Sequence, residues 1–147
     1  MEHFVLVRVS RRYSACGLIN LVFPNMANDA VFVLVVEDEA LIRMSLVEDL
    51  EDAGFHVFEA GNADEALKVL ASHPEIEALF TDIDMPGSMD GLKLAKLVRH
   101  SRPDVGIILT SGYLKIPRTD LPGKVPFLSK PYEVDRVVNH IRELTAR

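Results

Sequence analysis

The sequence predicts an α/β domain in which helices cover both faces of a doubly wound, five-stranded parallel sheet. Short apolar segments alternate with helical segments from Val31 to Leu144, and this alternation favours parallel strands joined by right-handed crossovers. The first apolar segment, residues 31–36, is an unbroken run, which is typical of a strand that is buried on both faces.

The predicted elements follow one another without long gaps. Strand one covers residues 31–36, and the helix after it carries apolar residues at helical spacing until Gly54. Residues 56–60 form a short second strand. Asn62 and Glu65 then make a cap-like start for the second helix, which Pro74 ends. The remaining elements are a strand at 78–81, a helix at 92–102, strands at 105–110 and 125–129, and a final helix at 134–144.

Residues 1–25 have no clear period and end at Pro24 and Asn25. We interpret them as an N-terminal extension that is poorly ordered or comes from a mis-assigned start, with Met26 as the native first residue and the domain at 26–147. An extra strand or a docking arm in this extension remains an alternative.

Composition restricts the function classes. The chain has 48% hydrophobic and 26% charged residues and a net charge of −6, which predicts a globular protein and disfavours nucleic acid as a partner. The single cysteine, Cys16, excludes an internal disulfide framework and a cysteine-based zinc site. No apolar run reaches the roughly 18 residues of a membrane helix. We therefore expect no membrane partner and a cytoplasmic location.

Charged side chains follow three of the predicted strands. Glu37 and Asp38 come after strand one, Asp82 and Asp84 after strand three, and Lys130 after strand five. Since the carboxyl ends of parallel strands meet at one edge of the sheet, these groups should converge. Several carboxylates in one crevice repel one another unless a cation joins them, and Mg²⁺ prefers such oxygen ligands.

A magnesium site of this kind suits phosphoryl transfer, because the ion can bridge a carboxylate and a phosphoryl oxygen. Lys130 is long and flexible enough to contact the phosphoryl group, and Ser111, at the end of strand four, can donate its hydroxyl to it.

Four motifs then make the sequence similar to a known family. They are Val-Val-Glu-Asp-Glu at 35–39, Phe-Thr-Asp-Ile-Asp-Met-Pro-Gly at 80–87, Met-Asp-Gly at 89–91 and Ser-Lys-Pro-Tyr at 129–132. Over about residues 31–144 the chain resembles the receiver domain of bacterial response regulators. The resemblance implies the flavodoxin-like fold of CheY-like receivers, with strand order 2-1-3-4-5.

The resemblance also implies roles for the charged residues. Asp82 would be the phosphoacceptor, Asp38 a direct Mg²⁺ ligand, Glu37 a carboxylate that acts through water, and Asp84 a backbone-carbonyl ligand. Lys130 would contact the phosphoryl group. The chain would then be a signalling phosphoacceptor rather than an enzyme, although it would assist its own phosphorylation and dephosphorylation.

Two further positions are switch residues by the same resemblance. Counting without gaps from Pro103 favours Ser111 over Thr110 as the switch hydroxyl. Phe127, three residues before Lys130, would be the aromatic that rotates inward, with an ordinary core aromatic as the alternative. The implied partners are a sensor histidine kinase or phosphotransfer protein and a downstream protein target, and the resemblance leaves open an oligomer on phosphorylation.

The chain departs from the family between Ser111 and Lys130. This segment is short and holds Pro117 and Pro122, so it should lack a regular fourth helix. Ser-Gly-Tyr at 111–113 resembles the Thr-Gly-Tyr of single-domain receivers in which a loop replaces that helix. We expect the segment to become ordered on phosphorylation.

Three alternatives remain at this point. The Asp82-Ile-Asp84 pair also fits haloacid-dehalogenase-like phosphatases, but those enzymes carry it on their first strand. A toprim-like metal domain leaves Ser111 and Lys130 unexplained. A pseudo-receiver that only docks would not need every chemical position to be present.

Overall fold

The computed structural model of the chain describes residues 30–112 and 125–146. Strands and helices alternate through these residues. The elements are β1 (Phe32–Val36), α1 (Ala40–Asp52), β2 (His56–Ala60), α2 (Ala63–Ser72), β3 (Ile76–Asp82), α3 (Gly91–Ser101), β4 (Gly106–Ser111), β5 (Phe127–Ser129) and α4 (Val134–Leu144).

The five strands form one parallel sheet in the order β2-β1-β3-β4-β5. The predicted fold class and strand order are therefore confirmed. The order changes direction at β1, which has β2 on one side and β3 on the other. In a sheet of this kind the crevice for a ligand lies beside the carboxyl ends of the strands at that point.

Both faces of the sheet are buried, which explains the unbroken apolar run of β1. Val33 and Val35 pack on one face with residues of α1 and α4, whereas Leu34 and Val36 pack on the other face with residues of α2 and α3. Successive strand residues point to opposite faces, so a strand that is covered on both sides must be apolar throughout. The largest fully buried apolar side chains of the two faces are Phe80, Leu50, Ile108, Ile141 and Leu128 on the first and Leu34, Leu79, Leu94, Leu109 and Ile76 on the second.

The buried polar side chains lie at one end of this core. In the part of the chain that the structure describes, they are Glu37, Thr81, Asp82, Thr110 and Ser111. Each is at the carboxyl end of a strand or directly after it. Burying a polar or charged group is costly unless it is paired, so their placement at one edge marks that edge as the place to look for function.

Several element boundaries differ slightly from the predicted ones. β3 begins at Ile76 rather than at residue 78, because Ile76 pairs with Phe32 through a register shift. β5 begins at Phe127 rather than at residue 125, and Pro126, which has no N–H to donate, precedes it. The predicted cap of α2 is present, since Asn62 Oδ1 accepts a hydrogen bond from the Glu65 N–H at 2.9 Å.

Two predictions fall outside the described residues. The N-terminal extension at 1–25 and the irregular segment at 113–124 are not covered, and both remain predictions. Among the described helices, none is long and apolar enough to cross a membrane.

Candidate functional site

Three carboxylates meet at the edge where the strand order changes. Glu37 and Asp38 follow β1, Asp82 ends β3, and one oxygen of each lies within 4.8 Å of the others. Glu37 is 1% exposed and Asp82 is 3% exposed, whereas Asp38 is open to solvent. Carboxylates this close repel one another unless a cation is present, and a hard divalent ion takes such oxygen ligands. The residues therefore fit Mg²⁺.

Lys130, directly after β5, brings a positive charge to this group. Its Nζ donates to Asp82 Oδ2 at 2.5 Å and to Glu37 Oε2 at 3.0 Å. Burial raises the pKa of Glu37 to about 7, although the hydrogen bonds from Lys130 and Glu39 oppose this rise. Burial alone would lower the pKa of Lys130, but its bonds to Asp82 and Glu37 outweigh burial and raise that pKa. The ammonium is therefore charged and balances part of the negative charge.

The carboxylate of Asp82 is held at both oxygens. Oδ2 accepts from Lys130, and Oδ1 accepts a hydrogen bond from the backbone N–H of Asp84 at 3.0 Å. The hydroxyl of Thr81 donates to the Asp82 carbonyl oxygen at 3.0 Å. These contacts fix the carboxylate at the end of its strand.

Ser111 and Thr110 occupy different surroundings. Ser111 Oγ donates to Asp84 Oδ2 at 2.6 Å, which links the end of β4 to the loop after β3. Thr110 Oγ1 is buried and has no hydrogen-bond partner in the structure as described. Ser111 is thus the hydroxyl that contacts the acidic loop.

Of the other two predicted site residues, Asp84 lies beside the carboxylates and Phe127 lies apart from them. Asp84 lines the same crevice as Asp38, Asp82 and Lys130, with its N–H and side chain bonded to Asp82 and Ser111. Phe127 is half-buried and packs against the core on the α2 and α3 face. No contact joins Phe127 to the carboxylates in the described structure.

The crevice beside these groups has a volume of about 750 Å³. Its lining includes these charged residues and apolar side chains of α1 and of the segment after β5, which we call the apolar wall and which include Leu41, Ile42, Pro131 and Val134. Leu41 is 82% exposed. Burial also raises the pKa of Tyr132, on this wall, to about 12.

The sequence did not predict the reason for one glycine in this region. Gly91 is the first residue of α3, and a Cβ atom there would lie 1.8 Å from the Asp82 carbonyl oxygen and 2.7 Å from its carbonyl carbon. The Gly91 N–H also donates to Ile83 O at 3.0 Å. Helix α3 can thus approach the end of β3 this closely only with glycine at its start.

A second residue missed from the sequence is Arg43, the single basic residue of α1. Its Nη1 donates to the carbonyl oxygen of Glu37 at 2.7 Å. The available signal was a lone arginine on the helix that follows the acidic pair.

Comparison with known proteins identifies what this chain is similar to. The family profile of the response regulator receiver domain matches residues 33–142. The response regulator receiver protein CpdR of Brucella abortus is 36% identical over 115 residues, which cover 76% of this chain and 94% of the relative. Several other relatives are longer, and the chain spans 12% to 25% of their length.

Solved structures give the same result. A response regulator receiver protein from Sinorhizobium medicae superposes with a TM-score of 0.74 at 26% identity, covering 80% of this chain and 95% of that one. The response regulator protein TrrA from Thermotoga maritima, solved in complex with Mg²⁺ and BeF, gives a TM-score of 0.67 at 30% identity, covering 78% of this chain and 98% of that one.

Proposed function

The chain belongs to the response regulator receiver domain family, whose members are phosphoacceptors of two-component signalling, and from that premise we propose that Asp82 accepts the phosphoryl group. One observation carries this proposal. Asp82 and Glu37 are both buried carboxylates bonded to Lys130, but of these two only Asp82 lines the crevice that a phosphodonor would enter.

The transfer requires an oxygen of Asp82 to attack the phosphorus atom of a phosphohistidine donor. The P–N bond breaks as the new O–P bond forms, and the donor imidazole keeps the electron pair and takes up a proton. Holding the Asp82 carboxylate at both oxygens orients it for attack, which contributes to the rate by reducing the entropy lost in reaching the transition state.

Glu37, Asp38 and Asp82, with the backbone carbonyl of Asp84, are the residues that would hold Mg²⁺. The Mg²⁺ complex of the Thermotoga relative supports this proposal. When bound, the ion supplies positive charge that offsets the charges of the carboxylates and of the incoming phosphoryl group. Lys130 adds an ammonium that can move from Glu37 to a phosphoryl oxygen, since its stem is flexible.

Ser111 is the proposed switch hydroxyl, and Phe127 the proposed switch aromatic. The hydroxyl of Ser111 would leave Asp84 and donate to a phosphoryl oxygen on Asp82. We also propose that the phosphodonor, a histidine kinase or phosphotransfer protein, contacts the exposed apolar wall at Leu41, because a donor imidazole must enter the crevice that this wall borders. The partner of the phosphorylated form is a downstream protein, and we propose a cytoplasmic location.

The acceptor is tested with acetyl phosphate and Mg²⁺, followed by intact mass measurement. The wild-type chain and Asp104→Asn, a control at an exposed carboxylate, should each gain one phosphoryl mass. Asp82→Asn should gain none. A retained adduct in Asp82→Asn would disprove the assignment, and no adduct in the wild type would favour the pseudo-receiver alternative. Family membership has already removed the phosphatase and toprim alternatives.

The metal ligands and the switch hydroxyl need separate variants. Asp38→Ala should weaken Mg²⁺ binding measured by titration calorimetry, whereas Asp52→Ala, on the exposed end of α1, should not. Ser111→Ala should still accept phosphate but lose the downstream response, with Thr110→Val as the control. If Thr110→Val loses the response and Ser111→Ala keeps it, the switch hydroxyl is Thr110.

A further inference from the structure

Arg43 contacts the acidic turn after β1 without belonging to the carboxylate group. Its Nη1 donates to Glu37 O at 2.7 Å, and its Nε lies 3.4 Å from Glu59 Oε1 on the edge strand β2. The Arg43 side chain is 20% exposed. A mostly buried guanidinium therefore joins the turn to the neighbouring strand.

The turn after β1 needs the contact with Arg43 because it lies beyond the paired residues of β1 and β2. The last pairing between β1 and β2 is at Ala60, and the Glu37 N–H donates to Ala60 O at 3.1 Å. The Glu37 carboxylate accepts from the Glu39 N–H at 3.1 Å. Because the Glu37 N–H is already held by β2, the hydrogen bond from Arg43 to the Glu37 carbonyl oxygen fixes the peptide group that joins Glu37 to Asp38.

The position of the guanidinium is fixed by a second element. A Cβ atom at Gly61 would lie 3.3 Å from Arg43 Nη1 and 3.5 Å from Glu65 Oε2. The Gly61 N–H also donates to Glu65 Oε2 at 2.8 Å. Arg43 therefore packs against the backbone of the turn between β2 and α2, where a larger residue would crowd it.

The positive charge of Arg43 does not account for its position beside the turn after β1. An unbalanced cation beside the turn that carries Glu37 and Asp38 would oppose the binding of a metal ion by repulsion. The ion pair with Glu59 offsets that charge. The hydrogen bond to the Glu37 carbonyl is therefore the contact that matters for the site.

We propose that Arg43 is a positioning residue that holds the turn after β1 so that Glu37 and Asp38 face Asp82 at metal-binding distance. This inference rests on the proposed function, because it assigns to Arg43 the geometry of the proposed Mg²⁺ site. It predicts an effect of Arg43 on metal affinity that is separate from its effect on folding.

The test measures Mg²⁺ binding to the whole 147-residue chain by titration calorimetry. Arg43→Met should weaken binding about tenfold, the order expected when one charge-assisted hydrogen bond is lost. Arg43→Lys keeps a donor and the charge and should weaken binding only about threefold, because lysine lacks the planar fork. In the metal-free chain, the Glu39 amide hydrogen should exchange faster in Arg43→Met than in the wild type.

Three controls separate the explanations. Val47→Ala destabilises the same helix without touching the turn and should leave Mg²⁺ affinity within about twofold. Arg142→Met removes an exposed arginine and should have no effect. Glu59→Gln keeps the bond to Glu37 and leaves the Arg43 charge unbalanced, so its small loss of affinity should diminish at high salt.

The outcomes distinguish an error in the proposed metal site from an error in the proposed role of Arg43. If Asp38→Ala does not weaken Mg²⁺ binding, the proposed metal site is wrong. If Asp38→Ala weakens binding and Arg43→Met does not, the site stands and the role of Arg43 is wrong. If Val47→Ala weakens binding as much as Arg43→Met does, Arg43 acts only through stability and the proposal fails.

Discussion

Replacing Gly91 with alanine should damage both the fold and the proposed phosphoacceptor site. The added Cβ would lie 1.8 Å from the Asp82 carbonyl oxygen and 2.9 Å from Ile83 Cα, and both are backbone atoms. Restoring a separation of 3.0–3.4 Å from the oxygen requires a movement of 1.2–1.6 Å, the difference between these distances. Either α3 or the end of β3 must move, since no side chain can give way.

The change in the free energy of unfolding combines two destabilising effects and one stabilising effect. Overpacking of this kind costs about 1–3 kcal/mol, and loss of the bond between the Gly91 N–H and Ile83 O adds about 1 kcal/mol. The reduced entropy of the unfolded chain returns about 0.4–1 kcal/mol. We expect a net destabilisation of about 2–3 kcal/mol in urea denaturation. Displacing the carboxylate of Asp82, the proposed acceptor, by about 1 Å should slow phosphorylation by up to about 100-fold.

Two other glycines supply controls for the same assay. A Cβ atom at Gly112 would lie 3.7 Å from Lys130 Cδ, an ordinary contact, so Gly112→Ala should keep the wild-type rate of phosphorylation. A Cβ atom at Gly106 would lie 2.8 Å from Leu144 Cβ, far along β4 from the site. Gly106→Ala should therefore lower stability and leave the rate unchanged. Wild-type stability and rate in Gly91→Ala would refute the close approach.

Three further variants test other contacts. Arg102→Met should lower the free energy of unfolding by about 2 kcal/mol, because Arg102 donates to three backbone carbonyls at 3.0–3.3 Å, and a change in Mg²⁺ affinity would contradict this purely structural role. Lys130→Met should cost about 3 kcal/mol in metal-free buffer, because it leaves Glu37 and Asp82 without a counter-charge. Mg²⁺ should then raise the melting temperature more in this variant than in the wild type, and equal shifts would count against the ion network. Asn62→Ala should cost about 1 kcal/mol by loss of the α2 cap, and unchanged stability in urea denaturation would mean that the cap contributes nothing.

The sequence predicted the fold well because the relevant signals are local. The unbroken run of β1, the stop at Gly54 and the cap at Asn62 each depend on a few neighbouring residues. The strand order came from the resemblance, since apolar runs alone do not say which strand lies beside which. Boundaries moved by a residue or two where a register shift or a proline intervened, as at Ile76 and Phe127.

The site was predicted as a set of residues but not as a set of contacts. Sequence position indicated that Glu37, Asp38, Asp82 and Lys130 share one edge, because topology brings the strand ends together. The contact between Gly91 and the Asp82 backbone depends on how closely a helix approaches a strand, which no local pattern specifies. The same holds for Arg43, whose partner Glu59 is 16 residues away in sequence.

The segregation of buried polar side chains at one edge of the sheet has a consequence for how the protein can respond to charge. The unfavourable electrostatic energy of the buried carboxylates is concentrated in a small region. Among the described residues, the two apolar layers below that region contain no buried polar side chain. A change of charge at that edge can then be relieved by small movements of loops and side chains, since close-packed apolar layers deform little. The charged groups and the packed scaffold therefore occupy different parts of one small domain.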